Sequence, residues 1–389
     1  MSDNTESIKT EKQALNLDEA IAKGWEIPDF TIKEIRDAIP SHCFRIDTFR
    51  SFGYVLHDFF FVALLMYGAS KIDTLSSPYI RFVLWATYSV LQGIVGTGLW
   101  VIGHECGHQA FSPSKTINNS VGIIIHSLLL VPYYSWKISH SKHHKSNGHL
   151  YNDMVYVPRT RSHRKLGPKE EDHELDGPHS ALMESPIVET AKIFRLVVFG
   201  WVCYVLLDVT GKRPKKTWTS HFNFNCHIFE EHNYADFVKS NIGLAVAISG
   251  LVCAGQIYGS MTVMKYYVFP YLFVNCWLVL ITYLQHTDSA IPRYSPNVWN
   301  FQRGAALTVD RSYGPILNHF HHHISDTHVA HHFFSNMPHY HAVEATKHIK
   351  KVLGKHYMSD DTPILQALYK SYRECKFIED EGDVRFLKN

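Results

Sequence analysis

The sequence predicts an all-α integral membrane protein: four transmembrane helices in two hairpins, interfacial helices, and a cytosolic helical cap. Three observations carry that prediction. Four apolar stretches approach the length needed to cross a bilayer. Mean hydropathy is nevertheless −0.13, so these stretches share the chain with large polar segments. The 27 histidines, against 36 Asp plus Glu, gather in clusters just past apolar runs on one expected side of the membrane.

Composition removes other classes. A net charge of +2 gives no field for nucleic acid. The seven cysteines are scattered, odd in number and without a CxxC pair, which argues against a disulfide framework or zinc finger and for a reducing compartment. Residues 1–50 hold no apolar secretory core.

The elements follow in order. Residues 1–50 read as a cytosolic N-terminal segment, 51–345 as the membrane domain with its cap, and 346–389 as a cytosolic C-terminal segment. Residues 1–30 are polar, which predicts mobility. Thr31-x-x-Glu34 is a capping box opening a short helix with apolar Ile32, Ile35 and Ala38, and Pro40 stops it. Spans are predicted at 54–69, 82–103, 242–258 and 266–284. About 20 residues rising 1.5 Å each cross roughly 30 Å of hydrocarbon, so the first and third borrow flanking residues. Runs at 121–134 and 193–207 are shorter or interrupted and read as interfacial or re-entrant. Residues 159–190, rich in charge, Pro and Gly, read as an exposed loop. The turn of the first hairpin holds Lys71 and little other charge, and that of the second is about as bare. The long segments carry most Lys and Arg, which puts both termini and the middle segment in the cytosol.

Three histidine boxes follow: His104-Glu-Cys-Gly-His108, His140-Ser-Lys-His143-His144 and His328-Val-Ala-His331-His332. On a helix, i, i+3 and i+4 share a face, so each box aims two or three imidazoles at one point. Eight imidazoles exceed the needs of one four-coordinate zinc. Imidazole suits Fe, Cu, Ni and Zn, and two six-coordinate metals use this number with positions left open. His286, just past the fourth span, is a ninth candidate. His319 to His323 lie close to the third box, and His323 or His322 stands as an alternate ligand. Isolated His163, His173, His179, His221, His227 and His232 read as surface or packing residues.

Two other classes compete. His104 to His108 matches the H-E-x-x-H zinc-protease signature, with Glu105 as base. That reading leaves two boxes unused. A metal transporter places His and carboxylates inside its spans. Here only His57 and Asp58, in the first span, do so, and the pattern does not account for them.

The boxes resemble those of the membrane fatty-acid desaturase family, within it the microsomal delta-12 (oleate) enzymes of fungi and plants. The resemblance extends to Ile39-Pro-Ser-His-Cys-Phe44, Leu130-Val-Pro-Tyr-Tyr-Ser-Trp136, Phe301-Gln-Arg-Gly304 and Met337-Pro-His-Tyr-His341. It implies two Fe ions, O2 as co-substrate, and ligands at the boxed histidines. It also implies the endoplasmic reticulum membrane with the active site on the cytosolic face, and a phospholipid-linked oleoyl substrate. Electrons are implied to come from cytochrome b5 and NADH-cytochrome b5 reductase. The absence of a His-Pro-Gly-Gly motif makes that cytochrome a separate protein. Glu105 and Ala330 lean toward delta-12 over omega-3 relatives, while bifunctional desaturases and acyl hydroxylases share the boxes. Glu105, Asp153, Asp288 and Asp326 are the carboxylates expected to orient imidazoles. Lys137, Lys142 and Lys145 form a basic face suited to anionic headgroups or an acidic donor.

Overall fold

The computed structural model describes residues 23–167, 185–212 and 218–389. Residues 1–22 of the stretch expected to be mobile and 168–184 of the loop expected at 159–190 lie outside them; 186–190, expected in that loop, are helical. Among the described residues the chain is mostly helical, with one two-stranded sheet.

Helix α1, Ile32–Ala38, starts at Thr31, whose side chain accepts from the Glu34 N–H while Glu34 reaches back to the Thr31 N–H at 2.7 Å. Ile39 is extended before Pro40, as a residue preceding proline must be. Helix α2, Thr48–Ala69, is capped by Asp47, whose carboxylate accepts from Phe49 and Arg50 N–H. Helix α3, Pro78–Gly107, opens with Ser77 as cap and Pro at its first position, where the missing N–H costs nothing. Each cap contributes about 1 kcal/mol.

Helices α4, Lys115–Leu128, and α5, Tyr133–Ser146, are bent by 108° across a short break that includes Pro132, in the stretch read as interfacial or re-entrant. Helix α6, Pro186–Leu207, departs from expectation. Its 22 residues make it long enough to cross, although charge interrupts its first half. Glu189 is buried there because Lys192 lies 3.0 Å away, so the interruption does not stop the helix. Helix α7, Tyr234–Tyr258, and the run Ser260–His286 follow; a π turn at Met264–Val268 leads into α8, Phe269–His286. Among the described residues, five helices rather than four are long and apolar enough to cross a membrane.

The two hairpin turns meet at one end of the bundle. Lys265 sits 2.9 Å from Asp73, Trp85 donates to Asp73, and the Tyr88 hydroxyl donates to the Tyr266 carbonyl. The histidine boxes lie at the other end of α3 and α8. There, α9, Pro315–Phe320, α10, His328–Phe333, α11, His339–Leu353, and α12, Ile364–Glu374, pack into a polar cap. Strands β1, Pro292–Tyr294, and β2, Val384–Phe386, pair antiparallel and pack in one core with Ile291, Leu307 and Val309.

Two glycines permit the close packing of α3. A Cβ on Gly98 would stand 2.4 Å from the Phe320 carbonyl and 2.9 Å from Asp58. One on Gly103 would stand 2.2 Å from the His126 ring.

Candidate metal centre

Box 1 closes α3, box 2 occupies α5, box 3 is α10, and His286 is the last residue of α8. The bend between α4 and α5 carries box 2 back over the end of α3. Five imidazoles, His104, His108, His140, His144 and His331, bring one nitrogen each within 4.8 Å of all the others. Their Nε2 atoms approach at 3.2 Å for His104 and His108, 3.1 Å for His140 and His144, and 3.2 Å for His144 and His331. A second group, His143, His286 and His332, converges likewise, with His328 Nε2 at 3.0 Å from His286 Nε2. The two groups abut where the His144 and His332 rings stack at 4.1 Å. All eight boxed histidines and His286 are thus brought together.

The surroundings leave the inward nitrogens free. His143 Nδ1 lies 2.7 Å from Asp153, His286 Nδ1 3.2 Å from the Asn147 side-chain oxygen, and His328 Nδ1 3.2 Å from the Ile324 carbonyl. Each Nδ1–H donates outward, and each Nε2 lone pair faces the group. Burial first, then neighbouring imidazoles, holds His140, His144, His331 and His332 well below the usual histidine range. His108 and His328 are pushed down to about 3, again chiefly by burial. Neutral imidazoles are the ligating form.

The donor set fits transition metals. Both nitrogens of His332 and Nδ1 of His144 are buried without a hydrogen-bond partner. Such unpaired buried groups are costly unless something absent from the protein chain meets them. Five plus four nitrogen donors, in two adjacent groups, suit two imidazole-loving ions and leave coordination positions over.

The alternates and outer carboxylates are corrected in part. His323 lies outside both groups and meets Asp326 at 2.9 Å. His322 instead faces Asp58 at 2.8 Å, and Asp58 also meets His57 at 2.8 Å. His322 and His323 both hold positive φ, a backbone conformation that L side chains rarely adopt. Glu105 and Asp153 do sit against box imidazoles, at 3.2 Å from His104 and 2.7 Å from His143. Asp288 does not; it pairs with Arg311 at 2.6 Å. Asp326 serves His323 and Asn318. Glu105 also accepts the His339 N–H at 3.1 Å, so one of its oxygens is engaged by the backbone of α11.

Three supporting residues escaped sequence reasoning. Asn147 orients His286; its position three residues after His144 was the available signal. Asp310 accepts the Val329 N–H at 2.8 Å and anchors α10. Buried Arg293 donates to the His286 carbonyl.

An apolar cavity of about 300 Å³ opens beside the cluster. His104, His140, His143, His286 and His328 form one wall; Trp100, Trp136, Trp201, Leu278 and Val279 continue it between α3, α6 and α8. Arg159 and Arg164 line it as well.

Comparison with known proteins agrees with this chemistry. A family model described as fatty acid desaturase matches residues 81–363. A delta(12) fatty acid desaturase of Mortierella isabellina is 50% identical over 373 residues, covering 95% of this chain and 93% of the relative. One from Mortierella alpina is 49% identical over 385 residues, covering 98% and 96%. An oleate hydroxylase of Claviceps purpurea is 43% identical over 380 residues, covering 92% and 79%. With two facing imidazole groups at an apolar cavity, and with relatives matched over nearly its whole length, the chain belongs to the fatty acid desaturase family.

Proposed function

We propose that the protein desaturates oleoyl chains carried on phospholipids, placing the delta-12 cis double bond to give linoleoyl. The observation that carries this reading is the double imidazole group forming one wall of an apolar cavity. His104, His108, His140, His144 and His331 would hold one iron, and His143, His286, His328 and His332 the other. When bound, the two irons supply O2 activation and removal of two hydrogens. The chain's own residues do the rest. Asp153, Asn147 and the Ile324 carbonyl keep Nδ1 protons outward. Trp100, Trp136 and Leu278 exclude water and fix the depth of an alkyl chain that offers no polar handle. Electrons would come from separate cytochrome b5 and NADH-cytochrome b5 reductase, met on the basic face that includes Lys142.

The same reading keeps four spans in two hairpins, within a membrane unit at 51–345, with boxes and both termini on the cytosolic face of the endoplasmic reticulum. The ties at both ends of α6 support it. Near its start, Glu189, Lys192 and Arg195 act on Tyr372 of α12, and α12 ends at Glu374, which accepts from Ser289 just past His286. Near its finish, the Tyr204 hydroxyl lies 3.2 Å from Ser139 in box 2's helix. Ties from both ends of a helix to box-side elements favour a helix that starts and finishes on the cap side over one that crosses.

Expression in a host that makes only monounsaturated lipids, with gas chromatography–mass spectrometry of its fatty acids, tests the reaction. Linoleate is the expected product. A hydroxylated chain would favour the second reading, an oleate hydroxylase, which the similarity to the Claviceps purpurea enzyme motivates. A double bond three carbons from the methyl end would point to an omega-3 or bifunctional enzyme.

A further inference from the structure

Two stretches that carry the family resemblance contribute no imidazole to either group: Ile39 to Phe44 and Met337 to His341. They meet each other instead. The 3-10 turn Ser41–Phe44 packs on the first turns of α11, and His42, Cys43, His341 and Glu344 converge. One nitrogen, sulfur or oxygen from each lies within 4.8 Å of all the others. His42 Nε2 stands 2.9 Å from Glu344 Oε2 and 3.7 Å from Cys43 Sγ.

We infer that these four side chains form a mononuclear zinc site, separate from the imidazole groups. Three features support it. The set is closed and mixed: one sulfur, two imidazoles and a carboxylate, the number and kind of donor that tetrahedral Zn2+ takes. The spacing fits, since Zn–S near 2.3 Å and Zn–N near 2.0 Å in a tetrahedron separate sulfur from nitrogen by about 3.6 Å. The oxygen–nitrogen pair has only to open by about half an ångström, and both side chains are nearly half exposed. Finally, Cys43 is anchored. It is 0% exposed and packs in the core with Ile35, Ile39 and Ile349, so its sulfur is held at the base of the site while the other three donors close over it. His341 and Glu344, three apart on α11, share one face, as helical metal-ligand pairs do. Burial and the neighbouring Glu344 push the Cys43 thiol up to about 11, so zinc would have to displace its proton, and uptake would strengthen as pH rises.

The site joins the segment leading into α2 to the first turn of α11. That turn supplies the His339 N–H to Glu105, which lies against His104. A zinc staple there would hold this contact from outside the imidazole groups.

The test uses the full-length protein, iron-loaded, incubated with Zn2+ and washed. Elemental analysis should give about one zinc per chain besides its iron. Zinc-edge X-ray absorption should show one sulfur neighbour, which neither imidazole group offers. Cys43→Ser should remove the sulfur signal, and His341→Ala should lower zinc at least roughly ten-fold while iron stays unchanged. Should those variants fail to fold, Glu344→Gln, at an exposed position, should still weaken zinc retention. Wild type without retained zinc, or zinc with only nitrogen and oxygen neighbours, would overturn the inference.

Discussion

Asp153 shows how much one side chain decides at this centre. It is fully buried, and burial opposes its charge, yet His143 and the Val155 N–H hold it below the usual carboxylate range. Its hydrogen bond fixes which nitrogen of His143 faces inward. Asp153→Asn should therefore lower iron affinity by about 10- to 100-fold, read as iron per chain after dialysis against a chelator. His332→Ala should abolish desaturation, whereas His323→Ala, outside both groups, should leave product yield within about two-fold. Equal losses from the two would refute the assignment of ligands. The metal-free protein should also respond to acid. Its imidazoles have folded pKa values below 6.5, so the unfolded chain binds more protons. Their contribution is therefore neutral above about pH 6.5 and increasingly destabilising down toward pH 3. Melting temperatures of the iron-free protein in detergent should fall across that window, and bound metal should blunt the fall. The boxes were legible because three- and four-residue spacing survives in the chain as a pattern. Asp288 and Asp326 misled because nearness in sequence does not tell which neighbour a side chain turns to; an arginine and a histidine outside the cluster claimed them.

At the scale of elements, the bend between α4 and α5 and the length of α6 divide what could be read from what could not. The short apolar run at 121–134 read as interfacial or re-entrant, and the structure gives it as a bent helix pair. The start of α6 was hidden because residues up to 190 read as an exposed loop, and the Glu189–Lys192 pair reconciles the charge there with a helix. Single cysteines at Ile187 and Leu207, in a variant otherwise lacking exposed cysteine, should both label from the cytosolic side if α6 lies along the cap. Protection of one and labelling of the other from the lumen would make it a fifth span. The wall between α6 and α8 is also a measure of the cavity. A Cβ on Gly200 would already stand 3.1 Å from Val279, so Gly200→Phe should constrict the cavity. Conversion of 18-carbon chains should then drop by at least about ten-fold relative to shorter ones, by competition between the two in one membrane.

For the whole molecule, two hairpins joined tip to tip at Asp73 and Lys265 set a fixed depth between the far turns and the boxes. Pro78 to His104 spans roughly 39 Å at helical rise, enough to cross the hydrocarbon and lift box 1 clear of it. A glycosylation acceptor placed in the 70–77 turn should therefore be modified in the lumen, and one placed after residue 389 should not. The long apolar helices of this arrangement were visible in outline from hydropathy. What hydropathy could not supply was the network that locks α9 to α2. The first span carries Asp58, 0% exposed, between His57 and His322, and that pairing explains the polar residues that set the span apart.

Asp58 and His322 lie 264 residues apart, and that interval has a consequence for synthesis. As the first hairpin leaves the ribosome, its carboxyl enters the insertion machinery long before its distant partner exists. A carboxylate near the start of a span still disfavours insertion, though by less than the roughly 2.5–3.5 kcal/mol it costs at the helix centre. The nascent first hairpin should therefore be retained poorly when the chain is truncated before residue 322, and Asp58→Leu should improve its retention while weakening the finished protein. The early chain would then depend on chaperoning that the completed enzyme no longer requires.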